Sequence, residues 1–357
     1  MKRLSFLAIA GLVVAMVTLS GCKTSTNGDA ATHGGEYPKF TLAWSEYPSW
    51  SVFGVAQEKG LITGNPAAPG TLEKKWKVII ELKQVDYDTC LTMYGSNTVD
   101  ATCMTNMDSL NPALGRPSTA IMPTSTSFGA DACIALGIDT PEQLKDVEVF
   151  GLEKSVSEYA FVRALQKKGL KPGDYKFKNM DPAAAAQAMQ TGQKGVKAIM
   201  VWNPFVLQTL RTAKDSKRLF DSSLIPGEIV DMVVVANGAI GKQGGDAFCN
   251  CICDTFYEVN KMLADSKTGD DTYVALGAKF SNLGVEDMRR CCKETKFYAT
   301  PKDGITLFTS PDFKKVNGEV AKFCQERGIV KDIPTMGYND PDAKLNFSTA
   351  YMKSAAK

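Results

Sequence analysis

The sequence predicts an α/β fold of two lobes, each a mostly parallel sheet flanked by helices, followed by a helical C-terminal part. Three observations predict it. Apolar, β-rich runs alternate with helical patterns through most of the chain, as they do where helices form the crossovers between parallel strands. With 357 residues and 44% hydrophobic content, the chain is long enough for two cores of roughly 100–200 residues each. Gly and Pro accompany a return to strand pattern at 128–132 and at 227–232, the places where the chain would cross between lobes. The crossings make 36–127 with 232–357 one lobe and 128–231 the other.

The chain opens with Lys2 and Arg3, then an apolar run from Leu4 to Leu19 that ends in Leu19-Ser20-Gly21-Cys22. A charged start, a short apolar stretch and small residues describe an export signal over 1–21. The apolar run falls short of the roughly 20 residues a membrane-spanning helix needs. A Cys directly after small residues resembles the lipobox of bacterial lipoproteins, which implies lipidation of Cys22 and a mature chain anchored at a periplasmic or extracellular membrane face. Residues 22–35, small, polar and Gly-rich, read as a flexible tether.

Strands are then expected at 40–44, 78–82, 120–123, 147–151, 198–202 and 232–236. Helices are expected to begin near Trp50, Tyr87, Met107, Ser155, Pro182, Pro204 and Ala247. From Cys249 onward the pattern is mainly helical, ending in segments over 311–327 and 340–353.

Composition excludes several functions. Lys plus Arg number 41 against 39 Asp plus Glu, so the phosphate neutralisation that gives affinity for nucleic acid has no obvious source. The single His, His33, lies in the tether, which removes imidazole triads and His-ligated metals from the fold. There is no nucleophile elbow and no phosphate-cradling Gly loop; no enzyme activity, metal or cofactor is expected. Nine cysteines follow Cys22: Cys90, Cys103, Cys133, Cys249, Cys251, Cys253, Cys291, Cys292 and Cys324. In an oxidising compartment several are expected to pair, and the odd count leaves at least one over. The CNCIC run at 249–253 lacks zinc-like CxxC spacing.

From Phe40 to Leu61 (FTLAWSEYPSWSVFGVAQEKGL) the chain resembles the opening strand, ligand loop and first helix of the nitrate/sulfonate/taurine-type periplasmic binding proteins. The resemblance continues through Asp86-Tyr87-Asp88, Val99-Asp100-Ala101, TNMDSL at 105–110, Gly129-Ala130-Asp131, EKSVSEY at 153–159 and VWNP at 201–204, covering about 40–236. TNMDSL, EKSVSEY and VWNP look most like the branch often encoded beside urea carboxylases. The cysteine-rich helical end departs from that branch. The resemblance implies a two-lobed binding protein of the type II periplasmic class, monomeric, that closes by a hinge on a small solute and delivers it to an ABC permease.

Ligands of open α/β sheets settle outside the carboxyl ends of strands, and each of these segments sits at such an end. The candidate ligand-binding residues are Trp44, Ser45, Glu46, Trp50, Asn106, Asp108, Glu153, Ser155, Ser157, Tyr159 and Trp202. Over 44–50, 104–110, 124–131, 153–159 and 200–205 the acids are Glu46, Asp108, Asp131, Glu153 and Glu158, against one base, Lys154. That lining suits a planar cation such as guanidinium, which donates to carboxylates and stacks on indoles; urea is its neutral isostere. A sulfonate, taurine, nitrate or pyrimidine-type ligand is the alternative. Further alternatives are a metal-handling lipoprotein built on CNCIC and a carboxylate-pair hydrolase using Glu153 and Asp108. Glu153, at an apolar-flanked strand end, is the preferred carboxylate and Asp108 the second. Each has an ordinary reading beside it: Asp108 and Ser155 as helix caps, Trp44 and Trp202 as packing, Glu46 and Glu158 as solvated charges, Asp131 as a turn cap, Tyr87 as a residue packed under a helix.

Overall fold

The computed structural model describes residues 37–355. The export signal, Cys22 and the tether with His33 lie outside the described residues. None of the helices among the described residues is long and apolar enough to cross a membrane.

Among the described residues, twelve strands form two sheets. In chain order they are β1 (Lys39–Trp44), β2 (Ile79–Gln84), β3 (Ala101–Thr105), β4 (Ser118–Thr126), β5 (Asp131–Leu136), β6 (Glu148–Gly151), β7 (Lys176–Asn179), β8 (Ala198–Trp202), β9 (Ser216–Asp221), β10 (Val230–Ala236), β11 (Met336–Tyr338) and β12 (Leu345–Phe347). The first sheet runs β11-β12-β4-β10-β3-β1-β2 and the second β7-β6-β8-β5-β9. The two sheets are the cores of two lobes. Both are mixed: β10 is antiparallel to β3 and β4, and β5 is antiparallel to β8 and β9. The remaining pairings are parallel.

Central strands, covered on both faces, read as unbroken apolar runs. Every residue of ATCMT (β3), AIMVW (β8) and VDMVVVA (β10) is buried. Helix starts follow local capping chemistry. Asp86 accepts from the Thr89 N–H at 2.8 Å and caps Tyr87–Gly95; Ser155 caps Val156–Lys167; Asp181 accepts from the Ala184 N–H at 2.9 Å and caps Pro182–Gln190.

Two expectations are corrected here. The segment 340–353 is not a helix: Leu345–Phe347 pairs parallel with Ser118–Ala120 and widens the first sheet, leaving a helix only at Ala350–Ala355. Phe347 is the reason, since it packs with Phe308, Phe313 and Tyr338 at ring separations of 5.1–5.5 Å, and a strand rather than a helix lays it over that cluster. Nor are the nine cysteines paired; all are free thiols, and eight are buried. They fill core positions as small hydrophobes. Burial pushes Cys90, Cys291 and Cys324 up to about 12.

One buried carboxylate fixes the edge of the first sheet. Glu73, 0% exposed, accepts from the backbone N–H of Thr63, Gly64, Gly70 and Ile80 and from the Thr63 hydroxyl at 2.6–3.0 Å. It ties the 63–70 loop to β2. Gly70 is required at this point because a Cβ would lie 2.4 Å from the Leu61 carbonyl. Glu73→Ala strands several buried N–H groups at about 1–3 kcal/mol each; chemical denaturation is expected to show a loss of at least ~3 kcal/mol, whereas Glu46→Ala, at an exposed loop position, stays within about 0.5 kcal/mol of the parent.

Candidate functional site

Where the lobes meet, the ends of strands from both sheets converge on a small cavity of about 20 Å³, room for about one water in this arrangement. The first lobe supplies Tyr47 and Trp50 from the loop after β1, Tyr87 from the start of its helix, Thr105 from the end of β3 and Asp231 from β10; the second supplies Asp131, Val156 and Trp202. The rings form a chain. Tyr47 meets Trp50 at 4.9 Å, Trp50 stacks on Tyr87 at 5.4 Å and 17°, and Tyr87 meets Trp202 edge-on at 5.9 Å and 76°.

Register sets the polar groups. On β10, Asp231 lies opposite Thr105 of β3 and Ser125 of β4, with a bulge between Asp231 and Met232, a device that re-aims side chains near sites. The Ser125 hydroxyl donates to Asp231. In the second sheet Asp131 begins β5 directly opposite Trp202 at the end of β8, and the Ser127 hydroxyl donates to it at 2.5 Å. Asp231 is 2% and Asp131 3% exposed, and no Lys or Arg lines the cavity. The Tyr47 hydroxyl and the Trp50 indole N–H, both in the cavity wall, are buried without a hydrogen-bond partner.

Desolvation governs these acids. It raises Asp131 to about 7, helped by the charges of Asp108 and Asp221. It also raises Asp231 well above the carboxylate range, and Asp131 and Asp108 add to that shift. Asp108 rises to about 6 for the same reason, although the Tyr87 and Thr105 hydroxyls donate to it at 2.6 and 2.8 Å. Asp108 stands behind the cavity wall and fixes the Tyr87 ring.

A wider cleft of about 410 Å³ adjoins the cavity, sharing Tyr87 and Trp202 as walls. Its acids are Glu46, Asp86, Asp88 and Asp181, and no Lys or Arg lines it. Both chambers are lined by acids and by no base.

The residues singled out from the sequence are thus distributed. Trp50 and Trp202 line the cavity; Ser45 and Glu46 line the outer cleft; Asp108 supports Tyr87. Trp44 packs against Gly54. The Asn106 amide donates to the Glu228 carbonyl and to Asn317 and accepts from the Val230 N–H, bracing the start of β10. Ser155 caps its helix, Ser157 is buried beside it, and the Tyr159 hydroxyl donates to Glu228, which Arg163 also binds. Glu153 is exposed and lines neither chamber. Asp231 escaped notice, because the strand was read from Met232. Its signal is a lone carboxylate inside an apolar run (IVDMVVVA). Asp131 carries the same signal in GADACIAL; it stands among the acids of the expected lining, with a turn cap as its ordinary reading, but not among the candidate ligand-binding residues.

No family model and no curated protein matches the chain. Solved structures do. The periplasmic aliphatic sulphonate binding protein of Escherichia coli superposes with TM-score 0.64 at 17% identity, over 83% of this chain and 89% of that one. The alkanesulfonate-binding protein of Xanthomonas axonopodis pv. citri, bound to MOPS, gives 0.65 at 16%, over 83% and 95%. A Candida albicans gene product with the generic periplasmic binding protein fold gives 0.60 at 14%, over 83% and 92%. At these identities the likeness shows the fold: the chain has the two-lobed periplasmic binding protein architecture.

A carboxyl group whose folded pKa is raised binds protons more tightly folded than unfolded, so the stability it confers is present below the ordinary carboxylate range and is lost as pH rises through the folded value. For Asp131 that loss runs up to about 7. The solute-free protein is therefore expected to melt lower at pH 8 than at pH 5, and Asp231→Asn to raise the melting temperature by a few degrees at pH 8 but little at pH 5. Scanning calorimetry at the two pH values checks this; equal effects at both would assign Asp231 an ordinary, unperturbed titration.

Proposed function

We propose that this protein is the extracytoplasmic solute-binding subunit of an ABC importer, anchored through lipid at Cys22, and that its cargo is a small nitrogen-containing cation of the guanidinium type. The observation that carries the reading is the pair Asp131 and Asp231, buried among Tyr47, Trp50, Tyr87 and Trp202 in a cavity with no basic residue. Isolated buried carboxylates are costly unless a counter-charge arrives. A guanidinium ion supplies that charge, donates hydrogen bonds to both acids and lays its face on an aromatic ring. Urea has the same outline without the charge and is expected to bind more weakly.

The protein is a carrier in this reading and not an enzyme: the groups at the cavity are acids, hydroxyls and rings, with no nucleophile set against a base. The buried thiols, held protonated by desolvation, are poor metal ligands, which disfavours the metal-handling reading. An anion is the second reading, raised by the sulphonate- and alkanesulfonate-binding proteins that share the fold. The acids of the cavity and of the outer cleft oppose it, since an ionised sulfonate would meet carboxylates where it needs donors.

Calorimetric titration of the purified full-length chain with guanidinium, urea, taurine, nitrate and an alkylsulfonate tests the proposal. Guanidinium is expected to bind most tightly, with taurine and nitrate silent. Trp202→Ala, which removes a ring face worth up to about 2 kcal/mol to a desolvated cation, is expected to weaken guanidinium roughly tenfold or more. Tighter binding of taurine or the alkylsulfonate than of guanidinium would overturn the choice of cargo and leave the importer role standing.

A further inference from the structure

We infer that this cavity takes its cation in exchange for a proton, which it gives up from the Asp131–Asp231 pair to the solvent. The inference rests on the cation reading above and adds to it how the site is regulated.

Three carboxylates approach one another here on separate elements: Asp231 on β10, Asp131 on β5 and Asp108 in the turn after β3. Asp131 is faced by Asp108 and by Asp221 at the end of β9. Arg218 answers Asp221 at 3.0 Å and also reaches Glu294 at 3.2 Å, so its charge is already committed. Asp231 is faced by Asp131 and Asp108, with Tyr47, Cys103 and Tyr298 also in reach, all neutral groups that burial keeps protonated. The Ser125 and Ser127 hydroxyls donate to the two cavity acids, and the Tyr47 hydroxyl also favours the ionised form of Asp231; these hydroxyls soften a carboxylate charge without neutralising it. Like charges held together away from water do not all ionise at neutral pH; the pair keeps a proton and titrates as a unit.

A guanidinium ion reverses that balance. With its positive charge between the acids, the ionised form of both becomes the favoured one. The O–H bond of the protonated carboxyl breaks, its electron pair stays on the carboxylate oxygen, and the proton passes to buffer. Nothing is oxidised or reduced. By linkage, the affinity for the cation then rises with pH, approaching tenfold per pH unit where one full proton is released. The window opens above the ordinary carboxylate range; Asp131 contributes to it up to about 7, and Asp231, also raised well above that range, contributes to the same rise. In acid the site lets its cation go.

The test is titration of the full-length chain with guanidinium chloride at pH 6.5 in buffers of different ionisation enthalpy, whose slope counts protons released. Roughly one proton per cation is expected, together with an affinity that falls several-fold from pH 7 to pH 6. In Asp231→Asn or Asp131→Asn one of the two acids can no longer hold a proton, while burial and the neighbouring acids still raise the other; the proton count is expected to fall clearly below that of the parent without vanishing, and the pH slope to flatten in part. Guanidinium binding with no dependence on buffer overturns the exchange while leaving the cation reading intact. A proton count unchanged in both variants overturns its assignment to this pair. Failure of guanidinium to bind at any pH from 6 to 8 overturns the cation reading itself.

Discussion

The return of the chain into its first sheet as β10, antiparallel between β3 and β4, is the constraint on which the rest depends. The chain leaves that sheet at Thr126, builds the second sheet between 131 and 221, and comes back at Val230. Because β10 runs against its neighbours, its first residues meet the last residues of β3 and β4. Asp231 therefore stands in one row with Thr105 and Ser125 at the edge that faces the second lobe. A carboxylate that a parallel strand would have left at the far end of the sheet is delivered to the meeting place of the lobes. Asn106 reinforces the arrangement by bonding across to Val230 and Glu228.

The interior chemistry follows from that placement. Carboxylates in an aromatic, water-poor cavity destabilise the protein, and what offsets them nearby is a set of hydroxyls, from Ser125, Ser127 and Tyr47. Glu73 shows the contrast: equally buried, it is surrounded by four backbone N–H groups and a hydroxyl and serves the fold. Asp131 and Asp231 lack such a shell. Two acids short of donors at the junction of two lobes, beside an unpartnered tyrosine hydroxyl and indole N–H, mark the place as a candidate site.

The frame of this site was legible in the sequence, and its centre was not. The central strands announced themselves as apolar runs, and helix starts at Tyr87, Ser155 and Pro182 followed from caps. Trp50 and Trp202 were visible because aromatic residues at strand ends are few. Asp231 was hidden by the same logic that revealed its strand: boundaries drawn by hydrophobicity exclude a charged residue, so the functional exception was trimmed from β10. Glu153 drew notice for the opposite reason. Its neighbours VFGL are apolar, but the chain turns outward there, and the carboxylate ends exposed. Contacts distant in sequence decide both cases, as they do for Leu345–Phe347, whose pairing with Ser118–Ala120 overrides a helical local pattern. The cysteines carried a chemical expectation from their compartment, whereas burial within helix and strand faces determined their state.

The distribution of paired and unpaired charge around the junction has its own consequence. On the rim, the helix Val285–Glu294 of the first lobe reaches the second through Asp287 to Arg211 and through Glu294 to Arg218 and to the Asn203 amide at 2.8 Å. The Arg211–Asp287 pair is partly exposed and contributes only about 0–1 kcal/mol, while Arg218 and Glu294 are more covered. They can align the lobes but hold them weakly. The buried acids oppose closure over an empty cavity, since closure strips them of water with no counter-charge in place. On the proposed cation reading, the bound cation would remove that opposition and leave the rim contacts and the buried rings to act together. Its differential affinity for the closed arrangement is then the whole of the free energy by which binding shifts the lobes, and a neutral molecule of equal size shifts them less because it leaves the acids uncompensated. On that proposal, discrimination by charge and response by closure have a single physical origin in this site.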